Sequence, residues 1–460
     1  MSRTALVIGF AVTGQAAARA LLAEGHAVTA VDDGEVSVQM SRTAGELGVE
    51  LVARPPRARL SELAARAELV VLSPGVPPSH PIFALAEPQK ILAEVELAFR
   101  LTDRPVLAIT GTNGKTTVTS LVTAILQEAG ANPEAVGNIG RPFIEAVGSD
   151  AAGLFVVEVS SFQLAWTKSF RPAVSCWLNL AEDHLDWHAD MAEYAAAKAR
   201  IWANQEEGDV AVANAEDPVV MAQAAACRAR LVTFGRRVGM VREEGGLLVS
   251  PAGEICRTAA LPRSLPHDVA NAAAASAVAL SAGASPADCA RALEAGVPMP
   301  HRIELVASIG GVSWYDDSKA TTPSAVLAAL GGFEQAVLIA GGRNKGLDYR
   351  TIVRALAAER DAGAGPGLAR LIGVVAIGES AGEVVEAFAG AGPEVVRAAS
   401  MTEAVEAAAA MAREGASVLL SPGAASFDWY RNYGERGDDF ARLVRRRAEP
   451  AAAEPQGGAR

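Results

Sequence analysis

Short apolar runs alternate with segments of helical spacing along most of the chain. Residues 4–8 and 27–31 are apolar runs, and residues 14–24 between them carry apolar side chains at helical intervals. The same strand-then-helix order recurs at residues 105–109 and 118–130. This alternation predicts an α/β fold with mostly parallel sheets. Further strands are predicted at residues 69–72, 154–159, 210–214, 312–316, 336–340, 371–377 and 418–420.

The length of 460 residues is enough for several cores, and we predict three domains. Residues 1–93 start with a βαβ pattern, residues 94–298 form a central domain, and residues 299–445 alternate again. A less regular β-like region lies within the central domain, at residues 231–261. Residues 446–460 are rich in Ala, Pro, Gly and Glu, which predicts a disordered tail.

Charge and cysteine content exclude several classes of protein. A net charge of -12 without a basic stripe argues against a nucleic-acid-binding protein, which needs a concentrated basic face. The four cysteines are far apart in sequence, and this spacing fits reduced thiols in the cytosol better than a disulfide framework. Residues 1–9 are interpreted as a first strand instead of a signal peptide. Residues 269–287 are too weakly apolar for a membrane span, so no membrane insertion is expected.

The segment Ile109-Thr-Gly-Thr-Asn-Gly-Lys-Thr-Thr117 has the composition of a phosphate-binding loop between a strand and a helix. Gly111 and Gly114 let backbone N–H groups face an anion, while Lys115 is placed to reach phosphates and Thr116 to bind Mg2+. The strict phosphate-loop pattern requires glycine where Ile109 stands. The alternative is a Gly/Thr-rich turn without a ligand, but glycine, lysine and two threonines at this junction favour a nucleotide.

Two turns in the first segment are candidate ligand contacts. Gly9-Phe-Ala-Val-Thr-Gly14 resembles a dinucleotide fingerprint with Ala11 in place of the middle glycine, so a nicotinamide cofactor and another diphosphate ligand are both open. Residues 73–78 form a Pro-rich turn after a strand, where α/β sheets bind ligands. Simple chain reversal is the alternative for this second turn.

Three residues of the central segment are candidate metal ligands. Glu158 lies in an apolar strand, where a carboxylate is costly unless it is paired or bound to a metal. His184 and His188 have i,i+4 spacing, which also suits zinc, although no H-E-x-x-H motif is present. Lys198, on a predicted helix over residues 191–204, is by itself more typical of a solvated charge.

The third segment has a polar cluster after each of three predicted strands. The clusters are Asp316–Thr322, Gly341–Gly346 and Ser421–Ser426. Because the carboxyl ends of parallel strands meet at one sheet edge, we expect these clusters to form a site together.

Taken together, these motifs resemble the Mur ligase family over nearly the whole chain. The resemblance is carried by Thr110-Gly-Thr-Asn-Gly-Lys-Thr-Thr117, Asn138-Ile-Gly140, Glu158-Val-Ser-Ser-Phe-Gln163, Glu182-Asp-His184, Ala195-Ala-Ala-Lys-Ala-Arg-Ile201, Pro300-His-Arg302 and Asp317-Ser-Lys-Ala-Thr321. The last motif is the one that indicates D-glutamate as the amino acid added.

The resemblance implies three α/β domains: an N-terminal Rossmann-like domain, a central P-loop ATPase domain and a C-terminal Rossmann-like domain. It implies an ATP-dependent ligase that adds D-glutamate to UDP-N-acetylmuramoyl-L-alanine through an acyl phosphate, during peptidoglycan precursor synthesis. Mg2+, with two ions, and a carbamylated Lys198 are the implied cofactors. A cytoplasmic monomer is expected.

The resemblance also implies roles for individual residues. Those expected to contact ATP are Gly111, Thr112, Asn113, Gly114, Lys115, Thr116, Thr117, Asn271, Arg302 and Asp317. The expected metal ligands are Thr116, Glu158, His184 and Lys198, and the expected catalytic residues are Lys115, Lys198, His184 and Lys319. Those expected to bind the UDP substrate are Val12, Thr13, Asp32, Gly75 and Asn138, and those expected around D-glutamate are Thr321, Lys345, Ser426 and Tyr433.

Several positions depart from the family pattern and leave pocket detail open. Thr322 and Asp268 stand where asparagine is usual, Gly423-Ala424 replaces Ala-Cys, and Tyr433 replaces phenylalanine. Asp33-Gly34 also leaves the uracil contacts open. Two alternatives therefore remain: a sister ligase that adds another amino acid, folate polyglutamate ligase included, and a nucleotide-binding protein without turnover.

Overall fold

The computed structural model describes residues 3–149, 151–185, 187–362 and 368–448. The chain divides into two compact units, Met1–Val297 and Pro298–Arg460. Both units consist of mostly parallel sheets with helices between the strands, so the predicted α/β fold is confirmed. The proposed division into three domains and a tail stays a prediction.

The first unit contains fourteen strands and twelve α-helices among its described residues. The strands are β1 (Arg3–Ile8), β2 (His26–Asp32), β3 (Glu50–Ala53), β4 (Leu69–Leu72), β5 (Ile91–Ala93), β6 (Val106–Thr110), β7 (Pro133–Gly137), β8 (Leu154–Glu158), β9 (Val174–Trp177), β10 (Val210–Asn214), β11 (Arg230–Phe234), β12 (Arg242–Glu244), β13 (Leu247–Ser250) and β14 (Gly253–Arg257). The helices are α1 (Val12–Ala23), α2 (Val38–Leu47), α3 (Arg57–Arg66), α4 (Ile82–Leu85), α5 (Glu94–Arg100), α6 (Lys115–Glu128), α7 (Phe143–Val147), α8 (Ser161–Ala165), α9 (Met191–Ala199), α10 (Pro218–Ala224), α11 (Pro266–Ser281) and α12 (Pro286–Ala295). Three short 3-10 helices lie at Pro88–Lys90, Arg200–Trp202 and Thr258–Ala260.

The first sheet is parallel, with the order β3-β2-β1-β4-β5. The chain moves outward from β1 to β3 and then returns to the other side of β1 at β4. Such a reversal leaves a crevice at the carboxyl ends of the two strands that flank it. The turns after β1 and β4 are therefore placed to hold a ligand together.

The second sheet is also parallel and has the order β11-β10-β9-β6-β8-β7. Strand β6 is buried at every position and lies between β8 and β9. Helices α6 and α11 cover one face of this sheet through an alanine-rich cluster of buried side chains. Small side chains let the helices approach closely, which places the amino end of α11 beside the turn after β6. Helix α6 begins at Lys115, three residues before the predicted start.

The predicted β-like region at residues 231–261 includes a small antiparallel sheet, β12-β13-β14. Leu248 and Ile255 are buried and belong to the same cluster as the residues of the second sheet. The small sheet therefore extends the core of the second sheet.

The second unit contains one mixed sheet among its described residues, with the order β15-β16-β20-β17-β18-β19. Its elements are β15 (Glu304–Ile309), β16 (Val312–Asp316), α13 (Pro323–Leu330), β17 (Gln335–Gly341), α14 (Arg350–Ala362), β18 (Arg370–Ile377), α15 (Ala381–Phe388), β19 (Glu394–Arg397), α16 (Met401–Met411), β20 (Ser417–Leu420) and α17 (Tyr433–Ala448). Strands β16, β20 and β17 are parallel neighbours. The three polar clusters that follow them therefore meet at one edge, as predicted.

Both edge strands of this sheet are absent from the sequence prediction. β15 (ELVASI) and β19 (EVVR) each begin with a glutamate, and their short apolar runs are half-buried or exposed, unlike those of a central strand. Residues 446–448 of the predicted tail continue helix α17, and residues 449–460 lie outside the described residues. Within the described ranges, every helix is too short or too polar to cross a lipid bilayer.

Glu94, the first residue of α5, is a buried acid within the first unit. Its Oε1 atom accepts a hydrogen bond of 2.6 Å from the backbone N–H of Ile144. Burial raises the pKa of the Glu94 carboxyl to about 7, although the hydrogen bonds from Ile144 and Gln163 oppose the shift. The neutral acid is therefore favoured in the folded state.

This raised pKa makes the stability of the first unit depend on pH. The folded pKa of about 7 lies above the ordinary value of 4.5, so the stabilisation is complete below 4.5 and is lost as pH rises through 7. Over this range the free energy of unfolding falls by about 3 kcal/mol. We expect Glu94→Gln to flatten the pH dependence, measured by urea unfolding between pH 5 and 8. If the free energy of unfolding depended on pH equally in the variant and the wild type, Glu94 would not be its source.

Candidate active site

The turn after β6 has the geometry of a phosphate-binding loop. β6 is held on both sides by parallel strands, and α6 starts directly after Gly114. Gly114 has a φ of 84°, and a Cβ atom there would lie 2.6 Å from the Oδ1 atom of Asn271. Glycine is required for both reasons. Asn271, at the amino end of α11, therefore lies directly against the loop.

Two lysine side chains converge on one backbone oxygen of this loop. The Nζ atoms of Lys115 and Lys198 each donate a hydrogen bond of 2.8 Å to the carbonyl oxygen of Gly111. Lys115 Nζ also donates to the carbonyl oxygen of Thr112, at 2.9 Å. Thr116 and Thr117 follow as the second and third residues of α6.

Lys198 is buried, with 1% of its surface exposed, so its interpretation from the residue alone as a solvated charge is wrong. The alanine-rich helix α9 packs its Lys198 face inward, and the ammonium lies 4.6 Å from the centre of the Tyr194 ring. Burial, together with the charge of Lys115, lowers the pKa of Lys198 well below its ordinary value. Lys198 therefore loses its proton more readily than an exposed lysine does.

Glu158, at the end of β8, is buried as predicted. Its Oε1 atom accepts a hydrogen bond of 2.9 Å from Asn138 Nδ2, and its Oε2 atom has no hydrogen-bond partner among the described residues. A buried carboxylate oxygen without a donor is costly unless a cation approaches it. This orphaned oxygen beside a phosphate loop fits a divalent cation.

His184 has an unusual backbone conformation, with a φ of 57°. Its Nε2 atom lies 3.2 Å from Asp183 Oδ2, and Asp183 is itself buried. His188, the other histidine of the pair considered for zinc, is buried with Nε2 2.9 Å from Ser161 Oγ. The structure therefore gives His188 a packing position against α8.

The residues present fit Mg2+. The hydroxyl of Thr116, the free oxygen of Glu158 and the imidazole of His184 are possible ligands, and oxygen ligands are those that Mg2+ prefers. The ammonium form of Lys198 cannot bind a cation. A carbamate on this side chain would instead offer oxygen atoms and a negative charge.

Asn179 and Tyr194 belong to the site but were not assigned a role from the sequence. Asn179 Oδ1 accepts hydrogen bonds from the backbone N–H groups of Thr112, at 3.1 Å, and Asn113, at 2.9 Å. Its Nδ2 atom donates to the carbonyl oxygen of Asn113, at 3.1 Å. The hydroxyls of Tyr194 and Thr112 lie 3.2 Å apart. The two side chains hold the loop from residues far away in sequence, which no local motif reveals.

The negative charge of Asp268, which departs from the family pattern, is balanced by a neighbouring arginine. Its two carboxylate oxygens accept hydrogen bonds of 2.6 and 2.7 Å from the guanidinium of Arg263. One of them also accepts from the backbone N–H of Leu265, at the start of α11. The carboxylate thus caps the helix that carries Asn271.

A cavity of about 670 Å³ lies at the carboxyl end of the first sheet, where the strand order reverses. Its walls come from the turns after β1, β2 and β4 and from residues 137–142. The structure brings together in this cavity the five residues predicted to bind the UDP substrate, Val12, Thr13, Asp32, Gly75 and Asn138.

The second unit gathers predicted residues at the edge formed by β16, β20 and β17. Asp317 is buried and accepts a hydrogen bond of 2.7 Å from Ser421 Oγ. Lys319 Nζ lies 3.8 Å from the centre of the Tyr433 ring. Ser426 is buried in the loop after β20. Thr321, Lys345 and Arg302 are half-buried in the segments that flank this edge.

Arg436 joins these loops and was not found from the sequence. Its guanidinium is buried and donates to Ser318 Oγ at 2.8 Å, to the Ser318 carbonyl at 2.7 Å and to the Ala424 carbonyl at 3.1 Å. Ser318 Oγ in turn donates to the Tyr433 carbonyl oxygen, at 2.8 Å. Burial lowers the pKa of Arg436 to about 10. Thr322, a departure from the family pattern, caps α13 through its hydroxyl.

Comparison with known proteins identifies the class to which this fold and site belong. The family model for the Mur ligase middle domain matches residues 109–279, and that for the Mur ligase, glutamate ligase domain matches residues 301–423. The chain belongs to the Mur ligase family, whose members form amide bonds at the expense of ATP. The family resemblance predicted from the sequence is confirmed.

Individual relatives carry a more specific name. UDP-N-acetylmuramoylalanine--D-glutamate ligase of Frankia casuarinae is 42% identical, covering 96% of this chain and 94% of the relative. The ligase of the same name from Thermobifida fusca is 39% identical, covering 96% of this chain and 98% of the relative.

Solved structures support the fold. The pseudomurein peptide ligase type C from Methanothermus fervidus has a TM-score of 0.61 at 17% identity, covering 96% of this chain and 99% of that chain. UDP-N-acetylmuramate-alanine ligase from Thermotoga maritima has a TM-score of 0.58 at 18% identity, covering 97% and 100%. At such identities the likeness concerns the fold alone, and it confirms the predicted fold class.

The contacts of Asn179 make it a testable support of the phosphate loop. Asn179→Ala removes two acceptor contacts and one donor contact to the loop backbone. We expect ATP to bind at least about tenfold more weakly, because three hydrogen bonds that hold the loop are lost and each contributes about 1 kcal/mol. Calorimetric titration with ATP measures the change. Asn204→Ala, which removes an amide remote from the loop that donates to Lys168 and Phe170 carbonyls, is the matched control. Unchanged ATP affinity in Asn179→Ala would exclude this role.

Proposed function

We propose that this chain joins D-glutamate to the carboxylate of UDP-N-acetylmuramoyl-L-alanine, with conversion of ATP to ADP and phosphate. The observation that carries the proposal is the pairing of Lys115 and Lys198 on the Gly111 carbonyl, in a site that also contains the unpaired oxygen of Glu158. Relatives that share this name along nearly their whole length support the choice of substrates.

The chemistry needs an activated carboxylate, because a carboxylate at neutral pH is a poor electrophile. Transfer of the γ-phosphoryl group of ATP gives an acyl phosphate, which the amine of D-glutamate attacks to form the amide bond. Lys115 and the backbone N–H groups of the loop neutralise and orient the phosphates. Phosphoryl transfer depends mainly on such positioning, which the loop and its Asn179 support provide.

Mg2+ would be held by Thr116, Glu158, His184 and carbamylated Lys198. When bound, Mg2+ neutralises charge on the phosphates. Carbamylation of Lys198 is supported by its burial and its lowered pKa, because only a neutral amine reacts with carbon dioxide. The neighbouring ammonium of Lys115 would stabilise the resulting carbamate. His184 is fixed for its role by the contact with Asp183.

The remaining residues divide between ATP and the two other substrates. Those proposed to hold ATP, beyond the loop residues Gly111, Thr112, Asn113, Gly114, Lys115, Thr116 and Thr117, are Asn271, Arg302 and Asp317. Those proposed to surround D-glutamate are Thr321, Lys345, Ser426 and Tyr433, with Lys319 near the reacting carboxylates. A cation such as Lys345 suits a substrate with two carboxylates.

The cavity of the first unit is proposed to hold the UDP part of the substrate. Its position at the reversal of strand order and its glycine- and proline-rich turns suit a diphosphate ligand. Asn138 links this cavity to the metal site, because its side chain lines the cavity and donates to Glu158. We infer a monomeric enzyme of the cytoplasm, where peptidoglycan precursors are made.

Phosphate release tests the reaction and its substrates together. The purified chain is supplied with ATP, Mg2+ and UDP-N-acetylmuramoyl-L-alanine, and each amino acid of a panel that includes both glutamate enantiomers is added in turn. We expect release with D-glutamate alone. Release with a different amino acid would replace the proposed amino-acid substrate. ATP binding without release for any amino acid would favour a binding protein that lacks turnover.

Lys198→Ala tests the carbamate. The variant lacks the group that becomes a metal ligand, so we expect loss of ligation by about a hundredfold or more. A small carboxylate such as acetate should restore part of the rate by occupying the space of the missing carbamate. Lys90→Ala is the control, because it removes a half-buried lysine that pairs with Glu87 at the surface of the same unit. Full activity of Lys198→Ala without added carboxylate would exclude the carbamate.

A further inference from the structure

The wall of the cavity in the first unit has an unexpected charge for a diphosphate site. Among the described residues that line it, none is lysine or arginine, and its charged side chains are those of Asp32 and Asp33, with His80 as its titratable base. A diphosphate carries negative charge, so each exposed carboxylate in the wall opposes binding. The two aspartates must therefore be compensated.

Asp32 is compensated by backbone groups. Its Oδ2 atom accepts a hydrogen bond of 2.6 Å from the N–H of Phe10, and its Oδ1 atom accepts one of 2.8 Å from the N–H of Gly34. These two backbone donors hold the Asp32 carboxylate against the turns after β1 and β2 and stabilise its negative charge. Asp33 differs, because 58% of its side chain is exposed.

Asp33 has a partner from across the cavity. Oδ2 of Asp33 lies 2.9 Å from Nε2 of His80, whose side chain is only 3% exposed. The approach is close but oblique, so the contact is a short polar one and not an aligned hydrogen bond. The backbone N–H of Ile82 donates to His80 Nδ1, at 3.1 Å, which places the proton of the neutral ring on Nε2, facing Asp33.

The pair joins two sides of the substrate cavity. Asp33 follows β2 and His80 follows β4, and these two strands flank β1 on opposite sides. Arg54 approaches the same turn, but its Nε atom donates to the carbonyl oxygen of Asp33, at 3.2 Å, and Arg54 is not among the lining residues. The carboxylate of Asp33 is thus held by His80.

We propose that His80 is a positioning residue for the UDP substrate, because it holds and masks the Asp33 carboxylate so that the cavity accepts a diphosphate. The inference rests on the proposed function, which supplies the identity of the ligand. It concerns Asp33-Gly34, the two residues at which the sequence leaves the uracil contacts open.

The test is a double-mutant cycle on binding. UDP-N-acetylmuramoyl-L-alanine is titrated calorimetrically into the wild type, His80→Asn, Asp33→Asn and the double variant. Asparagine retains an acceptor for Ile82 but loses the N–H that faces Asp33. We expect His80→Asn to weaken binding about tenfold at low salt, as two unscreened like charges at short range predict. The loss should shrink at about 0.5 M salt, where such repulsion is screened.

The double variant distinguishes two roles of His80: masking the charge of Asp33, and holding the two loops in place. The double variant has no carboxylate at position 33, so it should bind within about twofold of the wild type. A double variant as weak as His80→Asn would show that His80 acts only as a brace and would overturn the proposal. Wild-type affinity of His80→Asn would overturn it as well. His26→Asn, at the opposite end of β2, is the matched histidine control.

Two further measurements keep the result interpretable. His80→Gln retains an N–H near the Nε2 position and should bind like the wild type. If both His80 variants fail to fold, the affinity of Asp33→Asn for the UDP substrate decides the question. An affinity within about twofold of the wild type supports masking of Asp33 in the wild type. A tenfold gain in affinity would show that Asp33 is not masked and would overturn the proposal. Steady-state kinetics of the folded variants should show the change in the KM for the UDP substrate, with kcat retained. The wild-type ligation assay tests the proposed function separately, because binding requires no turnover.

Discussion

The catalytic end of the first unit depends on one carbonyl oxygen. The oxygen of Gly111 accepts hydrogen bonds from two ammonium groups, and one of them, on Lys198, is buried. Two cations that share an acceptor repel each other, and burial adds to the cost of the charge on Lys198. The arrangement favours loss of one positive charge, and it leaves the orphaned oxygen of Glu158 as the group to which a cation can bind. The phosphate loop therefore brings anionic and cationic groups together before any ligand arrives.

The same arrangement recurs in both parallel sheets of the first unit and in the parallel part of the mixed sheet. The phosphate loop follows β6, the cavity proposed for the UDP substrate lies beyond β1 and β4, and the polar clusters of the second unit follow β16, β20 and β17. In every case the chemical groups lie at the carboxyl end of adjacent parallel strands, where backbone N–H groups and helix amino ends face outward. Buried residues such as Asn179 and Arg436 then tie the loops together from distant parts of the sequence.

Much of this could be predicted from sequence because the signals are local. The phosphate loop, the buried carboxylate of Glu158 and the three polar clusters each follow an apolar run, and periodicity locates them. The burial of Lys198 could not be predicted this way, because an alanine-rich helix has no polar face to show which side contacts solvent. Asn179, Arg436 and the His80–Asp33 pair were missed for a different reason. Their roles arise from contacts between residues that only the tertiary fold brings together. The edge strands β15 and β19 have only short apolar runs beside charged residues, which is a weak signal.

The position of β6 in its sheet also governs when the nucleotide site can form during synthesis. Its two neighbours, β8 and β9, are translated after it, and Asn271, which packs against Gly114, comes later still. A nascent chain that has just left the ribosome with β6 and its loop has no partner strands to bury them. The apolar β6 segment therefore has no strand partner until β8 and β9 have emerged, and Gly114 has no contact with Asn271 until α11 has emerged. The ATP site of this ligase is consequently a late product of translation, although its signature motif appears in the first third of the chain.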